Sequence, residues 1–275
     1  MTSPVSKLFL PPPVLAGCIF ASVYRDTRGA HLLERDRVNH FPASPLVSVT
    51  RVIHGTLTVL PFGLGGGYAA SATMGPSLFV MGPKGVPVSS RSPGEVTAIS
   101  LGLYYDAWLQ LGGDPEFRHA PKSLVDALAR FGDSADPERG WHILCAELED
   151  VWEHRRPPGW PGTSRIADWA QATLTRAALA GPGRSLRSLE RRLKRMSGQT
   201  RRSLNFYSAF ENLHRIVSQD PDNQLTDIAL ASGYSDQSHM GRSVRRATGF
   251  TPARLNQAIQ TEEPFWCYRL LGERF

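Results

Sequence analysis

The chain has little cysteine: Cys18, Cys145 and Cys267 are the only three in 275 residues, and they lie far apart. An odd count with no CxxC pair predicts reduced thiols, hence a cytoplasmic protein. No stretch reaches the ~20 apolar residues of a membrane-spanning helix, so no membrane partner is expected. The chain also lacks the closely spaced HxH of metal-binding β-barrel enzymes; His31, His40 and His54 stand alone. Gly63-Leu64-Gly65-Gly66-Gly67 has neither the GK[ST] ending nor the GxGxxG spacing of a phosphate loop, and is expected to be a hairpin or mobile loop. No serine sits in a nucleophile elbow. No catalytic residue, metal or cofactor is therefore expected.

Leu15-Ala16-Gly17-Cys18 spells a lipoprotein cleavage box. Pro11-Pro12-Pro13 breaks the apolar run before it, and Lys7 is the only preceding cation, so export is not expected.

What is present is a globular balance, 41% hydrophobic and 20% charged. The charge is unevenly spread. Residues 1–154 carry 12 basic and 15 acidic side chains, and residues 155–260 carry 17 and 7. A basic segment of this kind suits a polyanion, because each Lys or Arg brought to a phosphate releases counterions.

Short runs rich in Val, Ile, Phe and Thr, punctuated by Gly and Pro, predict strands at 18–24, 46–53, 56–60, 77–81 and 96–103. Their regular spacing suggests an antiparallel barrel or sandwich. Helices follow at 123–131 and 138–155. In the second, Trp141, Leu144, Cys145, Leu148, Val151 and Trp152 form one apolar stripe, which either packs on its own sheet or pairs with another subunit. Residues 155–162, dense in Pro and Gly, mark a boundary. We expect a β-rich part over 1–155 that ends in helices, a helical domain over 163–260, and an aromatic tail over 261–275.

The helical part repeats itself with an offset of 51 residues. Arg191 aligns with Arg242, Arg195 with Arg246, Gly198 with Gly249 and Thr200 with Thr251; Leu189 and Leu193 align with Met240 and Val244. Each copy reads as a capped helix: Ser185, and Ser235 or Asp236, as N-caps, and Gly198 and Gly249 as left-handed ends. Thr251-Pro252 opens the next helix. Leu225, Ile228 and Ala229 form a short apolar face before Gly233. Helix, glycine turn and capped helix make a helix-turn-helix. Residues 203–217 read as a connecting helix, with Phe206, Phe210, Leu213 and Val217 on one side.

Ile228-Ala229, Gly233-Tyr234-Ser235, Ser238-His239-Met240-Gly241-Arg242, Arg245-Arg246 and Gly249-Phe250-Thr251-Pro252, at this spacing, closely resemble the signature of the AraC/XylS family of bacterial regulators. The resemblance covers roughly residues 165–260. It implies an α+β chain: a cupin-like N-terminal β-barrel that binds an effector, dimerises, or both, followed by an all-α double helix-turn-helix domain. It places base-reading residues at Arg187, Glu190 and Arg191, and at Gln237, Ser238, His239 and Arg242. Ser185, Ser188, Lys194, Arg195, Ser235, Arg245 and Arg246 complete the candidate DNA-binding set. The first unit departs from the pattern: Pro182-Gly183 stands where the second has Gly233-Tyr234. Its helix is the more basic, so we expect phosphate affinity mainly from the first unit and base discrimination from the second.

Double-stranded DNA is thus the expected partner, with a small-molecule effector, RNA polymerase and a second copy of the chain as candidates. Two alternatives stand beside this: a cupin-type enzyme fused to a basic module, and an effector-independent regulator whose first half only dimerises. Phe41-Pro42-Ala43-Ser44-Pro45 and Tyr104-Tyr105-Asp106-Ala107-Trp108 look like signatures of an AraC-like subgroup. The tail from Glu263 to Leu271 is expected to pack on one of the two parts rather than stay in water.

Overall fold

The computed structural model describes residues 3–61, 73–74, 77–181, 185–219 and 225–274. It is α+β, as expected. Nine strands come first: β1 (Val5–Phe9), β2 (Ile19–Asp26), β3 (Val38–Phe41), β4 (Val47–His54), β5 (Leu57–Pro61), β6 (Thr73–Met74), β7 (Leu78–Met81), β8 (Val88–Arg91) and β9 (Thr97–Leu103), counted among the described residues. They form two antiparallel sheets, in the orders β1-β2-β9-β4-β7 and β3-β8-β5-β6. Four of these strands, β1, β3, β6 and β8, lie outside the sequence-predicted set. They are only two to five residues long, too short for a periodic signal.

Helices follow: α1 (Tyr105–Gln110), α2 (Lys122–Asp133) and α3 (Pro137–Arg155), then α4 (Ile166–Leu179), α5 (Leu186–Ser197), α6 (Arg201–Gln219), α7 (Leu225–Ala231), α8 (Gln237–Thr248), α9 (Pro252–Thr261) and α10 (Trp266–Gly272). The α3 stripe packs inward: Trp141, Leu144, Cys145, Leu148 and Trp152 are buried in the chain's own core, with Trp141 stacked on Phe9 of β1 at 5.3 Å. Of the two readings of that stripe, intramolecular packing is the one found.

The segment spelled like a cleavage box is a structural turn. Gly17 has φ of +81°, its N–H donates to the Thr163 carbonyl (2.9 Å), and a Cβ there would collide with the Pro161 carbonyl oxygen. Trp160 reaches the same turn, its indole N–H donating to the Gly17 carbonyl (3.1 Å). The Pro/Gly-rich stretch is therefore pinned to the start of β2 and is not a loose tether.

The main hydrophobic core does not stop at that stretch. It runs from the first sheet and α1–α3 into Ile166, Trp169 and Ala177 of α4, Leu193 of α5, and Leu204 and Tyr207 of α6. A second core joins Leu213, Ile228, Ala229, Met240, Val244, Leu255 and Ala258 with Phe265 and Tyr268 of the tail. The first repeat unit thus shares the core of the β-rich part, and the second has its own.

Asp106 lies at the centre of the first junction. Its buried carboxylate accepts from the Trp169 indole N–H (2.9 Å) and pairs with Arg176, both on α4. Burial raises its pKa, and the Arg176 charge opposes that rise. Removing one partner of a buried pair leaves the other charge uncompensated, which typically costs about 3–5 kcal/mol. Asp106→Ala should lose stability on that scale in urea unfolding followed by circular dichroism. A loss within the ~0.5 kcal/mol of an ordinary surface change would show that the pair holds nothing.

Candidate nucleic-acid interface and ligand cavity

The 51-residue repeat is reproduced down to individual hydrogen bonds. Ser185 caps α5 by accepting from the Ser188 N–H (3.2 Å), and Asp236 caps α8 by accepting from the His239 N–H (2.7 Å). Of the two cap candidates, Asp236 holds the position, and the Ser235 hydroxyl donates to it (2.9 Å). At the far ends, the Ser197 and Thr248 hydroxyls each donate to the carbonyl four residues back, Leu193 and Val244 (both 2.8 Å). Gly198 and Gly249 follow in the left-handed region, with φ of +68° and +83°. Thr200 and Thr251 then cap α6 and α9. In the second unit, Gly233 turns the chain at φ +87°, and the Tyr234 N–H returns to the Ala229 carbonyl (2.9 Å). The corresponding Pro182-Gly183 lies outside the described residues, as does the Gly63–Gly67 run.

Leu193 of α5, and Met240, Val244 and Ala247 of α8, are buried, while Leu189 and Met196 are half-buried. The opposite faces carry the sequence-predicted set. Ser185, Arg187, Glu190, Arg191, Lys194 and Arg195 are exposed on the first helix, with Ser188 half-exposed beside its cap. Ser235, Gln237, Ser238, His239, Arg242, Arg245 and Arg246 are exposed on the second. Two of these are partly engaged. The Arg246 guanidinium lies over the Phe206 ring of α6 at 4.0 Å, and the His239 ring meets Tyr234 edge-on at 5.3 Å. Sequence reasoning passed over Leu186, the first residue of α5, which is 75% exposed. The signal was available in the repeat, which aligns it with Gln237.

Both units are clamped to the β-rich part by motifs that had no assigned role in the sequence. In the first clamp, Tyr104 packs against Trp169 (5.3 Å), and the Tyr105 ring lies 3.2 Å from where a Cβ on Gly198 would stand. The second clamp runs through residues 39–43. The Ala43 N–H donates to the Ala247 carbonyl of α8 (2.7 Å), and Phe41 meets Trp266 edge-on at 6.0 Å. The Trp266 indole N–H donates to Asn39 Oδ1 (2.7 Å), and Glu263 pairs with Arg25 of β2. His40 lies between Phe250 (5.4 Å) and Phe265 (4.8 Å), and burial lowers its pKa to about 4. The tail therefore docks on both parts at once.

A cavity of about 240 Å³ opens between the two sheets. Val23, Leu57, Val59 and Phe79 line its strand walls. Tyr207, Glu211 and His214 of α6, with Tyr268 of α10, close one end. Among the described residues no group of three His, Cys, Asp or Glu is placed to hold a metal ion. No helix among them is long and apolar enough to cross a membrane.

The family described as a helix-turn-helix domain matches residues 182–258. The HTH-type transcriptional activator RhaS of Pectobacterium carotovorum subsp. carotovorum (strain PC1) is 39% identical over 162 residues, which cover 52% of this chain and 56% of that protein. The chain thus spans just over half the length of this relative. Among solved structures, unsaturated fatty acid-bound ToxT from Vibrio cholerae strain SCE256 aligns over 92% of this chain and 95% of its own, at 12% identity and a TM-score of 0.41. ToxT from Vibrio cholerae O395 aligns over 92% and 96%, at 9% identity and the same TM-score. The signature around Gly233-Tyr234, the repeated capped helices and the matched segment agree: residues 182–258 form a helix-turn-helix domain.

Proposed function

We propose that the chain is a sequence-specific DNA-binding transcription regulator whose DNA binding is governed by a small molecule held in the cavity between its sheets. The observation that carries the DNA reading is the matched pair α5 and α8. Both are N-capped, and both expose their first two residues; both carry cations along the outer face. A recognition helix enters the major groove with its N-terminal residues against base edges. Gln237 suits adenine, Arg187, Arg191 and Arg242 suit guanine, and Glu190 suits the cytosine amino group. Leu186 suits the thymine methyl group, the one apolar feature of the groove. Lys194, Arg195 and Arg245 lie further along the helices and suit phosphates.

The effector reading rests on where the cavity lies. Its wall includes α6, which joins the two units, so an occupant touches the element that spaces them. A ligand that binds the two arrangements of α6 unequally shifts the balance between them. A thermal-shift screen of metabolites on the whole protein tests this arm, because a ligand specific to the folded state raises the melting temperature. If no compound does so while DNA binding is intact, the cavity is not an effector site.

Selection of bound fragments from random DNA should return a motif with two blocks about one helical turn apart. Recovery of no common motif would overturn the reading. Against the selected site, Arg242→Ala should cost about 1–3 kcal/mol and relax preference at one base pair; equal weakening on every sequence would assign Arg242 to a phosphate instead. Lys194→Ala should lower the slope of log K against log salt by about one. Replacing single thymines of the first block by deoxyuridine should weaken the native protein at one position and leave Leu186→Ala unaffected there. Equal losses in both proteins would remove Leu186 from base reading.

A further inference from the structure

The second recognition helix is held within its own unit by apolar packing. Met240 and Val244 of α8 share the second core with Leu213 of α6. Arg246 reaches past that core. Its guanidinium lies over the Phe206 ring at 4.0 Å, and Phe206 packs against the main core. Phe206 stands on the anchored half of α6. Its neighbour Tyr207 is buried in the main core, and the Tyr207 hydroxyl donates to the Lys84 carbonyl (3.1 Å). Arg246 also precedes Ala247, whose carbonyl accepts from the Ala43 N–H (2.7 Å). The last turn of α8 is therefore held from two sides.

Arg246 has a choice of partner that its spacing alone does not settle. It follows Ser238 and Arg242 at four-residue intervals, so all three share the outer face of α8, which suits a polyanion. The structure instead lays its planar guanidinium on a ring, the arrangement in which an arginine is attracted by the negative face of an aromatic. Its repeat counterpart, Arg195, lies exposed on α5.

We propose that Arg246 is a positioning residue: stacked on Phe206, it fixes the angle between the two recognition helices, and so the spacing at which the protein reads its two DNA blocks. One base pair inserted between the blocks moves the second by about 3.4 Å and turns it by about 35° around the DNA axis. To follow, the second unit must move against the N-terminal half of α6, and that motion takes Arg246 off the ring. The stacked pair resists the wrong spacing. The inference rests on the DNA arm of the proposed function and names the residue that sets its spacing.

The test is a ratio measured on the full chain: Kd for the selected site with one inserted base pair over Kd for the site itself. The ratio cancels any change in overall affinity. In the native protein it should be about tenfold or more. Phe206→Leu, which keeps apolar bulk and removes the ring, should lower it about two- to fivefold, the worth of a cation–π contact at an exposed site. Arg246→Ala should lower it by the same factor, and the double variant by no more than either alone. Arg246→Lys should recover part of the loss, because an ammonium group still attracts the ring face. A ratio unchanged in both single variants, or an intact ratio with a salt slope lowered by about one in Arg246→Ala, would overturn the proposal and assign Arg246 to phosphate. A second measurement contains no DNA. Spin labels on Lys194→Cys and Ser238→Cys, both exposed positions, report the distance between α5 and α8 by pulsed electron paramagnetic resonance, and the three native cysteines are buried. Phe206→Leu should broaden that distance distribution; an unchanged distribution would overturn the proposal. Failure of the DNA selection therefore leaves the pair testable, and failure of the pair leaves the DNA reading standing.

Discussion

The buried Asp106 carboxylate decides where the first helix-turn-helix unit sits. A carboxylate is rarely removed from water without a matched partner. Here both partners, Trp169 and Arg176, come from α4, the first helix of that unit. The ion pair is strong only in this one arrangement, so it selects a single docking of α4 on α1 from the many that apolar packing alone allows. Tyr104 and Tyr105, on either side in function and immediately before it in sequence, add the apolar contacts to Trp169 and Gly198. Leu193 of α5 therefore belongs to the β-rich part's own core.

The second unit is attached by different physics. Its core is separate, and it meets the sheets through a backbone hydrogen bond at Ala43, the Trp266–Asn39 bond, the Arg25–Glu263 pair and a cluster of aromatic edges around His40. Seams made of a few polar bonds and ring edges open at lower cost than a shared core. The helix α6 bridges the two regimes. Its N-terminal half, with Leu204 and Tyr207, belongs to the main core, and Leu213 belongs to the second. At 19 residues it is roughly 28 Å long. The cavity meets α6 where the two cores change over, at Tyr207, Glu211 and His214.

The helical half was the more legible in sequence, and the reason is physical. Caps, left-handed glycines and a 3.6-residue stripe are local rules, so α5, α8 and α9 could be placed within a residue or two from Ser185, Gly198, Gly249 and Thr251. Ser235 and Asp236 are both cap-forming residue types at the same turn, and only the fold shows that Asp236 accepts from the His239 N–H. The short strands β1, β3 and β8 could not be read, because pairing with distant partners defines them more than their own composition does. The two subgroup motifs, Phe41–Pro45 and Tyr104–Trp108, were visible as motifs but had no readable role. Their partners, Trp266, Ala247, Trp169 and Gly198, lie from about 60 to more than 200 residues away, and no local pattern encodes such a pairing.

The aromatic tail joins these threads. An apolar segment beyond the second unit could have served only to cover Phe250 and Leu255. Instead Phe265 and Tyr268 enter the second core, Trp266 and Cys267 pack against Val23 and Phe41 of the sheets, and Arg274 reaches Phe20 and Ser164. One short helix thus touches the β-rich part, the second unit and the cavity. Tyr268 lines the cavity and shares its core with Met240 and Val244, the buried face of α8. The tail thus joins the second unit's core to the cavity, while the Asp106 junction holds the first unit through α4.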